Sequence, residues 1–212
     1  MLMKRLVPLI LLLTACGGCD ALGYLGYLVA PNPKTRTVEP EFDGLKNCKV
    51  AVAVYANGAT LHHYQRARLE LPTAIAHELR HQLKDVTVIE PVEVLRYQDA
   101  NFDWESGDRG KLAADLGADY VLYLALIEYT TSEMGGANVY RGRITAESSL
   151  YRAGEPESNG RVWHEPEIRV TFPEDAPAGH LGESDAPIRY QTHKLLADKL
   201  VKNFYQHEVP LE

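Results

Sequence analysis

Residues 111–127, KLAADLGADYVLYLALI, constrain the fold more than any other stretch of the chain. The short helical pattern from Lys111 to Leu116 stops on Gly117, the residue type that most readily closes a helix in the left-handed conformation. Residues 118–127 then run almost wholly apolar, without the alternation of a half-exposed strand, and so read as a strand buried on both faces. Such a strand belongs at the centre of a sheet, with other strands beside it and helices packed over it.

The neighbouring segments supply those partners. KVAVAVY, Lys49–Tyr55, is a β-branched run closed by Asn57-Gly58 and reads as a second buried strand. A helix follows, with Pro72 placed in its first turn and an end near Lys84. Residues 86–89 form a short strand closed by Glu90-Pro91, and residues 92–97 are helical before the polar loop DANFDWESGDRG. Residues 139–151 alternate, with Ile144, Ala146, Ser148 and Leu150 on one face. Ile168, Val170 and Phe172 mark a further strand, preceded by Pro166, which suits an edge or a strand start. Residues 173–187 read as a loop, and a closing helix over about 188–205 buries Leu196, Ala197, Leu200, Val201 and Phe204. The order β-α-β-α-α-β-β-β-α predicts a single layered α/β domain over residues 45–207. Its mixed, mainly antiparallel sheet is packed by helices, its last three strands form a meander, and residues 208–212 are a tail.

The first residues address export rather than folding. Lys4 and Arg5 precede the apolar run LVPLILLLTA, which is shorter than the roughly 20 apolar residues a membrane-spanning helix needs. Leu13-Thr14-Ala15-Cys16 directly behind that run resembles the bacterial lipobox. The resemblance implies a lipoprotein signal over residues 1–15, cleavage before Cys16, and acylation of that cysteine on sulfur and nitrogen. Several acyl chains on one residue give lasting attachment, since each buried CH2 contributes about 0.8 kcal/mol. Gly17 stands where inner-membrane lipoproteins often carry aspartate, so the resemblance favours the outer membrane, facing the periplasm. Residues 16–44 read as a lipidated tether, stiffened by Pro31 and Pro33. Cys19 and Cys48 remain; an oxidising compartment permits them to pair, and separate thiols are equally compatible with the sequence.

Charge narrows the partners. The chain carries 22 Lys and Arg against 29 Asp and Glu, and loss of Lys4 and Arg5 with the signal moves the balance from −7 to −9. An acidic body with scattered charge is not built for nucleic acid. Beyond the membrane held through Cys16, the expected partner is another envelope protein.

The strand KVAVAVY, the helix leading into VTVIEPVEVL, and LAADLGADYVLYLAL resemble the domain shared by the TolB amino-terminal region, the CsgG-like curli-secretion lipoproteins and the LpoB-like activators of penicillin-binding proteins. The resemblance covers about residues 45–207 and is most specific at Leu116-Gly117-Ala118-Asp119-Tyr120-Val121. It implies a non-catalytic envelope lipoprotein acting through protein contacts, with envelope assembly, secretion or cell-wall synthesis as the expected setting; an accessory subunit of an envelope transport complex is a separate alternative. The chain departs from that family where Tyr55-Ala56-Asn57 replaces a proline-phenylalanine pair and Ala153-Gly154-Glu155-Pro156 replaces an aspartate-threonine-glycine turn. It also has no alternating apolar segments for membrane hairpins, so the likeness does not extend to a secretion pore.

One string points to chemistry instead. HELRH, residues 77–81, matches the H-E-x-x-H zinc-peptidase pattern. On a helix His77 and His81 share a face, and Glu78 can polarise a metal-bound water. Such a site needs a third ligand, and Glu93, Glu105 and His164 stand in no recognisable motif. Arg80 also puts a fixed positive charge inside the string. With Ile75 at 0°, Leu79 and Leu83 fall near about 40° and 80° and the two histidines near about 200° and 240°, so the helix seats its aliphatic face and turns the histidines to solvent. The expectation is a solvated helix face with no metal or other cofactor; the alternatives are adventitious surface metal binding by His77 and His81 and a zinc peptidase using His77, Glu78 and His81. His62 and His63 read as surface residues and His193 as a core-edge histidine. Trp104 reads either as a partner anchor or as a residue tucked against the body. The sequence shows no phosphate-cradling glycine loop and no Ser-His-Asp pattern.

Overall fold

The computed structural model describes residues 35–132, 138–176, 178–182 and 184–211. Cys16 and Cys19, with the signal and most of the tether, lie outside the described residues. The chain divides into a main body, Glu39–His207, and a small second unit of its termini. In the latter, Thr35–Val38 is a strand that pairs with His207–Pro210 as a two-stranded sheet, so structure extends into the end of the expected tether and into the tail.

Strand β1 (Lys49–Tyr55) begins the sheet of the body, and its even and odd residues serve different layers. Val50, Val52 and Val54 join a large aliphatic cluster, whereas Ala51 and Ala53 join a smaller one on the opposite face. Helix α1 (Gly58–His63) follows, capped where the Asn57 side chain accepts a hydrogen bond from the Thr60 N–H at 2.8 Å. Helix α2 (Ala67–Gln82) seats Leu71, Ile75, Ala76 and Leu79 in the larger cluster and buries Pro72 as well. Pro72 lies inside this helix rather than in its first turn, because the helix starts earlier than expected, at Ala67. Strand β2 (Thr87–Val88) and helices α3 (Pro91–Ala100) and α4 (Arg109–Asp115) lead to the long β3 (Tyr120–Ser132).

The glycine stop behaves as the sequence implies. Gly117 takes φ +62°, and Asp119 then clamps β3 to β1 by accepting from the Lys49 N–H on Oδ2 and donating its own N–H to the Lys49 carbonyl, both at 2.7 Å. β1 lies parallel to β3 in the register Val50↔Tyr120 to Tyr55↔Ala125, which makes β3 a central strand. A register shift between Leu126 and Glu128 returns Tyr129 to the face of the large cluster.

The meander is completed by β4 (Val139–Arg152) and β5 (Arg161–Phe172), both antiparallel to their predecessors, with the four-residue α5 (Glu157–Gly160) between them. β5 is twice the expected strand: it begins at Arg161 and carries Pro166 in its middle. The sheet order β2-β1-β3-β4-β5 puts β5 at an edge, and a register shift between Ala146 and Ser148 falls opposite Pro166, so the missing N–H sits at an edge-strand bulge. Within the expected loop, β6 (His180–Leu181) adds two residues against β4. Helix α6 (Ala186–Val201) and a 3-10 turn, Lys202–Phe204, close the body and bury the full stripe from Leu196 to Phe204 that the sequence marks.

The result is the expected α/β architecture, a mixed sheet packed by helices. α2 and α6 lie side by side over one face, and α3 and α4 cover part of the other. Among the described residues no helix is long and apolar enough to cross a membrane.

Candidate functional site

A furrow of about 680 Å³ lies between α2 and α6. Its direction follows from two contacts. Glu70 meets Arg189 at 3.3 Å, and farther along Glu78 lies within electrostatic reach of Tyr205, so the two helices run the same way. Small residues on the facing sides, Thr73 and Ala74 on α2 and Ala186 and Ala197 on α6, keep the furrow open. Leu69 and the two-thirds exposed Tyr190 add apolar surface, and Arg66, Lys194, His77 and Glu78 add polar rim.

A buried polar network lies under one end. The Tyr129 hydroxyl and His193 Nε2 are 2.6 Å apart, and Tyr64 stacks edge-on against Tyr129 with centroids 4.4 Å apart. Thr131 donates its N–H to the Tyr64 hydroxyl at 2.9 Å and its own hydroxyl to Asp185 at 2.7 Å. Asp185 holds Arg189 through both carboxylate oxygens, and Arg189 reaches Glu70, which also pairs with Arg66. Burial pushes His193 down to about 4, with the positive charge of Arg189 acting in the same direction and Asp185 partly opposing it. At neutral pH His193 is therefore an uncharged imidazole, and burial pushes the Tyr129 phenol upward. The pair offers a hydrogen bond without a charge. His193 is thus the satisfied core histidine that its place on α6 implies.

HELRH meets the furrow wall only through His77 and Glu78. His77 and His81 are both exposed, their rings nearly parallel at 14° with centroids 6.5 Å apart. The expectation that His77 faces open solvent needs correction: His77 and Glu78 line the furrow, because α6 lies close beside α2. The Glu78 carboxylate accepts a hydrogen bond from Gln82 at 2.6 Å. Arg80 turns the opposite way, donating to the Val88 carbonyl at 2.9 Å and pairing with Glu90 at 2.6 Å. Its charge is therefore held away from the histidines. Among the described residues, no group of three His, Cys, Asp or Glu side chains is arranged to hold a metal ion, and Glu93, Glu105 and His164 do not join the pair.

Other singled-out residues fall elsewhere. His62 and His63 are exposed at the end of α1. Trp104 is tucked in, 7% exposed, between Tyr55 and Tyr123, with the Arg68 guanidinium 5.7 Å from its ring. The exposed aromatic of that loop is Phe102 instead. The Cys48 thiol lies 3.4 Å from the carbonyls of Gly44 and Lys46, and burial together with the negative charge of Asp119 pushes it up, away from the reactive thiolate.

The sheet also juxtaposes Ser149, His164 and Glu147, which sequence spacing does not reveal because β4 and β5 bring them together. Ser149 Oγ lies 3.0 Å from His164 Nδ1, and Glu147 lies 3.8 Å from that same nitrogen. A nucleophile, base and orienting carboxylate require opposite nitrogens of the ring, so this group is not a relay.

No family model matches the chain. Over 141 residues, 66% of its length, it is 28% identical to the trigger factor of Chromohalobacter salexigens, and it spans only 29% of that protein. Among solved structures it is similar to the PelC dodecamer from Paraburkholderia phytofirmans, with 18% identity, 81% and 98% of the two chains covered, and a TM-score of 0.42. It is similar to lipoprotein GNA1162 from Neisseria meningitidis, with 16% identity, 72% and 97% covered, and a TM-score of 0.42. For rare lipoprotein B from Shewanella oneidensis the values are 14% identity, 73% and 91% covered, and a TM-score of 0.31. At these levels the likenesses carry no functional argument.

Proposed function

We propose that the chain is a lipid-anchored protein of a bacterial envelope, held through Cys16 at the outer membrane, whose periplasmic body works by binding another envelope protein without catalysis of its own. The observation that carries this reading is the lipobox-like Leu13-Thr14-Ala15-Cys16 directly behind a basic, then apolar, leader. The body's paired polar groups support it. Tyr129 bonds to His193 and Asp185 to Arg189, so both pairs serve the fold, while the furrow above them presents Leu69 and Tyr190. An aromatic side chain on a concave, part-apolar surface is the kind of feature partners use as an anchor.

Metabolic acyl labelling of the full chain in a bacterial host tests the anchor. Cys16→Ser is expected to abolish labelling and release the protein from membranes, and continued labelling refutes the reading. Crosslinked co-purification from membranes tests the body. Ala74→Arg, placed on the furrow wall, is expected to remove the crosslinked species that the unaltered protein gives. An unchanged pattern moves the docking surface away from α2 and α6.

A further inference from the structure

We infer that His77 and His81 form a two-imidazole chelate for a borderline first-row transition-metal dication on the outer face of α2. The two residues stand one turn apart, both exposed, with rings 14° from parallel and centroids 6.5 Å apart. Metal–nitrogen bonds of about 2.0–2.1 Å with near-tetrahedral angles bring two ring centroids to about 5 Å. Rotation about the side-chain bonds of two exposed residues closes that difference without moving the backbone. The Arg80 charge inside the string does not oppose a bound dication, because Val88 and Glu90 draw it to the other side of the helix.

Imidazole pairs suit copper, nickel and zinc rather than magnesium or calcium, which prefer oxygen donors. The affinity order expected of nitrogen ligands is copper above nickel and zinc. Two protein donors leave the rest of the ion's coordination to water or to an outside donor. Since His77 also lines the furrow, a bound ion stands at the furrow's edge, where an occupant can complete its shell. The arrangement differs from a peptidase centre, which needs a third protein ligand and a carboxylate poised over the bound water; Glu78 is bonded to Gln82 instead. This inference is independent of the lipid anchor and of any partner.

The test is titration of the full chain, purified in detergent and stripped with chelator, with copper, nickel and zinc salts. Binding is followed calorimetrically, and the copper complex is examined by electron paramagnetic resonance. The unaltered protein is expected to show a copper species with two imidazole nitrogens. His77→Gln or His81→Gln should each weaken copper binding about tenfold or more, because a single ligand loses the effective-concentration gain of the pair. Both side chains are exposed, and circular dichroism checks that each variant is folded. The His62→Gln/His63→Gln double variant should leave affinity unchanged. Absence of binding at millimolar copper overturns the inference, as does unchanged affinity in both single variants or loss that follows His62 and His63.

Discussion

The two faces of the sheet are built to different standards. Under α2 and α6 the facing residues are large and aliphatic: Leu71, Ile75 and Leu79 from α2 and Leu196 and Leu200 from α6 meet Val52, Leu122, Leu124, Ile144 and Leu150. Across the sheet, Ala51, Ala53 and Val121 leave room for Trp104, Val94 and Leu112, which come from a loop and the short helices α3 and α4. Beyond them the same face lies open, with Ile127 61% exposed and Glu128, Arg143, Glu147 and His164 forming polar pairs on the strands. The first face therefore carries most of the hydrophobic stabilisation, while the second is a local clasp at one end. Stability and surface variety have been assigned to opposite sides of one sheet.

The same substitution on both sides tests that contrast most strongly. Leu79 and Leu112 are 0% and 3% exposed, and truncating a buried leucine costs about 2–5 kcal/mol, with the spread set by how well the site can collapse. Leu79→Ala, under a long helix packed on the sheet beside α6, should fall near the top of that range. Leu112→Ala, in a seven-residue helix beside a loop, should fall near the bottom. Equal losses in urea unfolding would break the comparison and make the two clusters one cooperative core.

Much of the fold beneath this division was legible in the sequence, element by element. The strand KVAVAVY, the glycine stop at Gly117 and the stripe on α6 are local patterns, and local patterns survive folding. What stayed hidden depends on neighbours. Residues 161–165, RVWHE, have no apolar period because β5 is paired on one side only, and Pro166 is harmless only at the bulge that β4 creates. The furrow could not be foreseen from α2 alone, since its other wall is α6, brought alongside by the sheet. His77, Glu78 and His193 were each visible as residues, but their shared concavity was not. Ser149 and His164 meet across a strand pair, and Arg80 is diverted by a carbonyl on β2. Neither contact has any sequence period.

A pH dependence should also separate the faces, through His193 beneath α6. Its folded-state value is near 4 and an unperturbed histidine titrates near about 6.5. Between those values the unfolded chain binds the proton more readily than the folded one, so stability falls as pH is lowered through that window. It is complete above the upper value, and below the lower one this group adds no further change. The shift corresponds to about 3 kcal/mol at most. His193→Gln should flatten the wild-type slope of unfolding free energy between pH 6.5 and 4, and an unaltered slope would place the titrating group elsewhere.

The finest test uses two glycines, one on each side. A Cβ on Gly142 of β4 would meet the Thr192 side chain of α6, with Oγ1 at 1.8 Å and Cβ at 2.8 Å. A Cβ on Gly110 of α4 would meet backbone, the Glu155 carbonyl oxygen at 2.0 Å and that of Arg152 at 3.0 Å. Either alanine should destabilise by about 1–3 kcal/mol, the usual scale of overpacking. The obstacles differ in kind, and so should the remedies. Thr192→Ala removes the hydroxyl and methyl nearest the new Cβ, so the Gly142→Ala/Thr192→Ala pair should regain part of the loss. Some loss remains because the Thr192 Cβ stays. No side-chain truncation can relieve Gly110→Ala, since its obstacle is the turn after β4. A double-mutant cycle in urea measures the coupling on the α6 side. A coupling of zero there would mean that α6 shifts bodily to admit the methyl group, and the firmly packed face would then be the more yielding of the two.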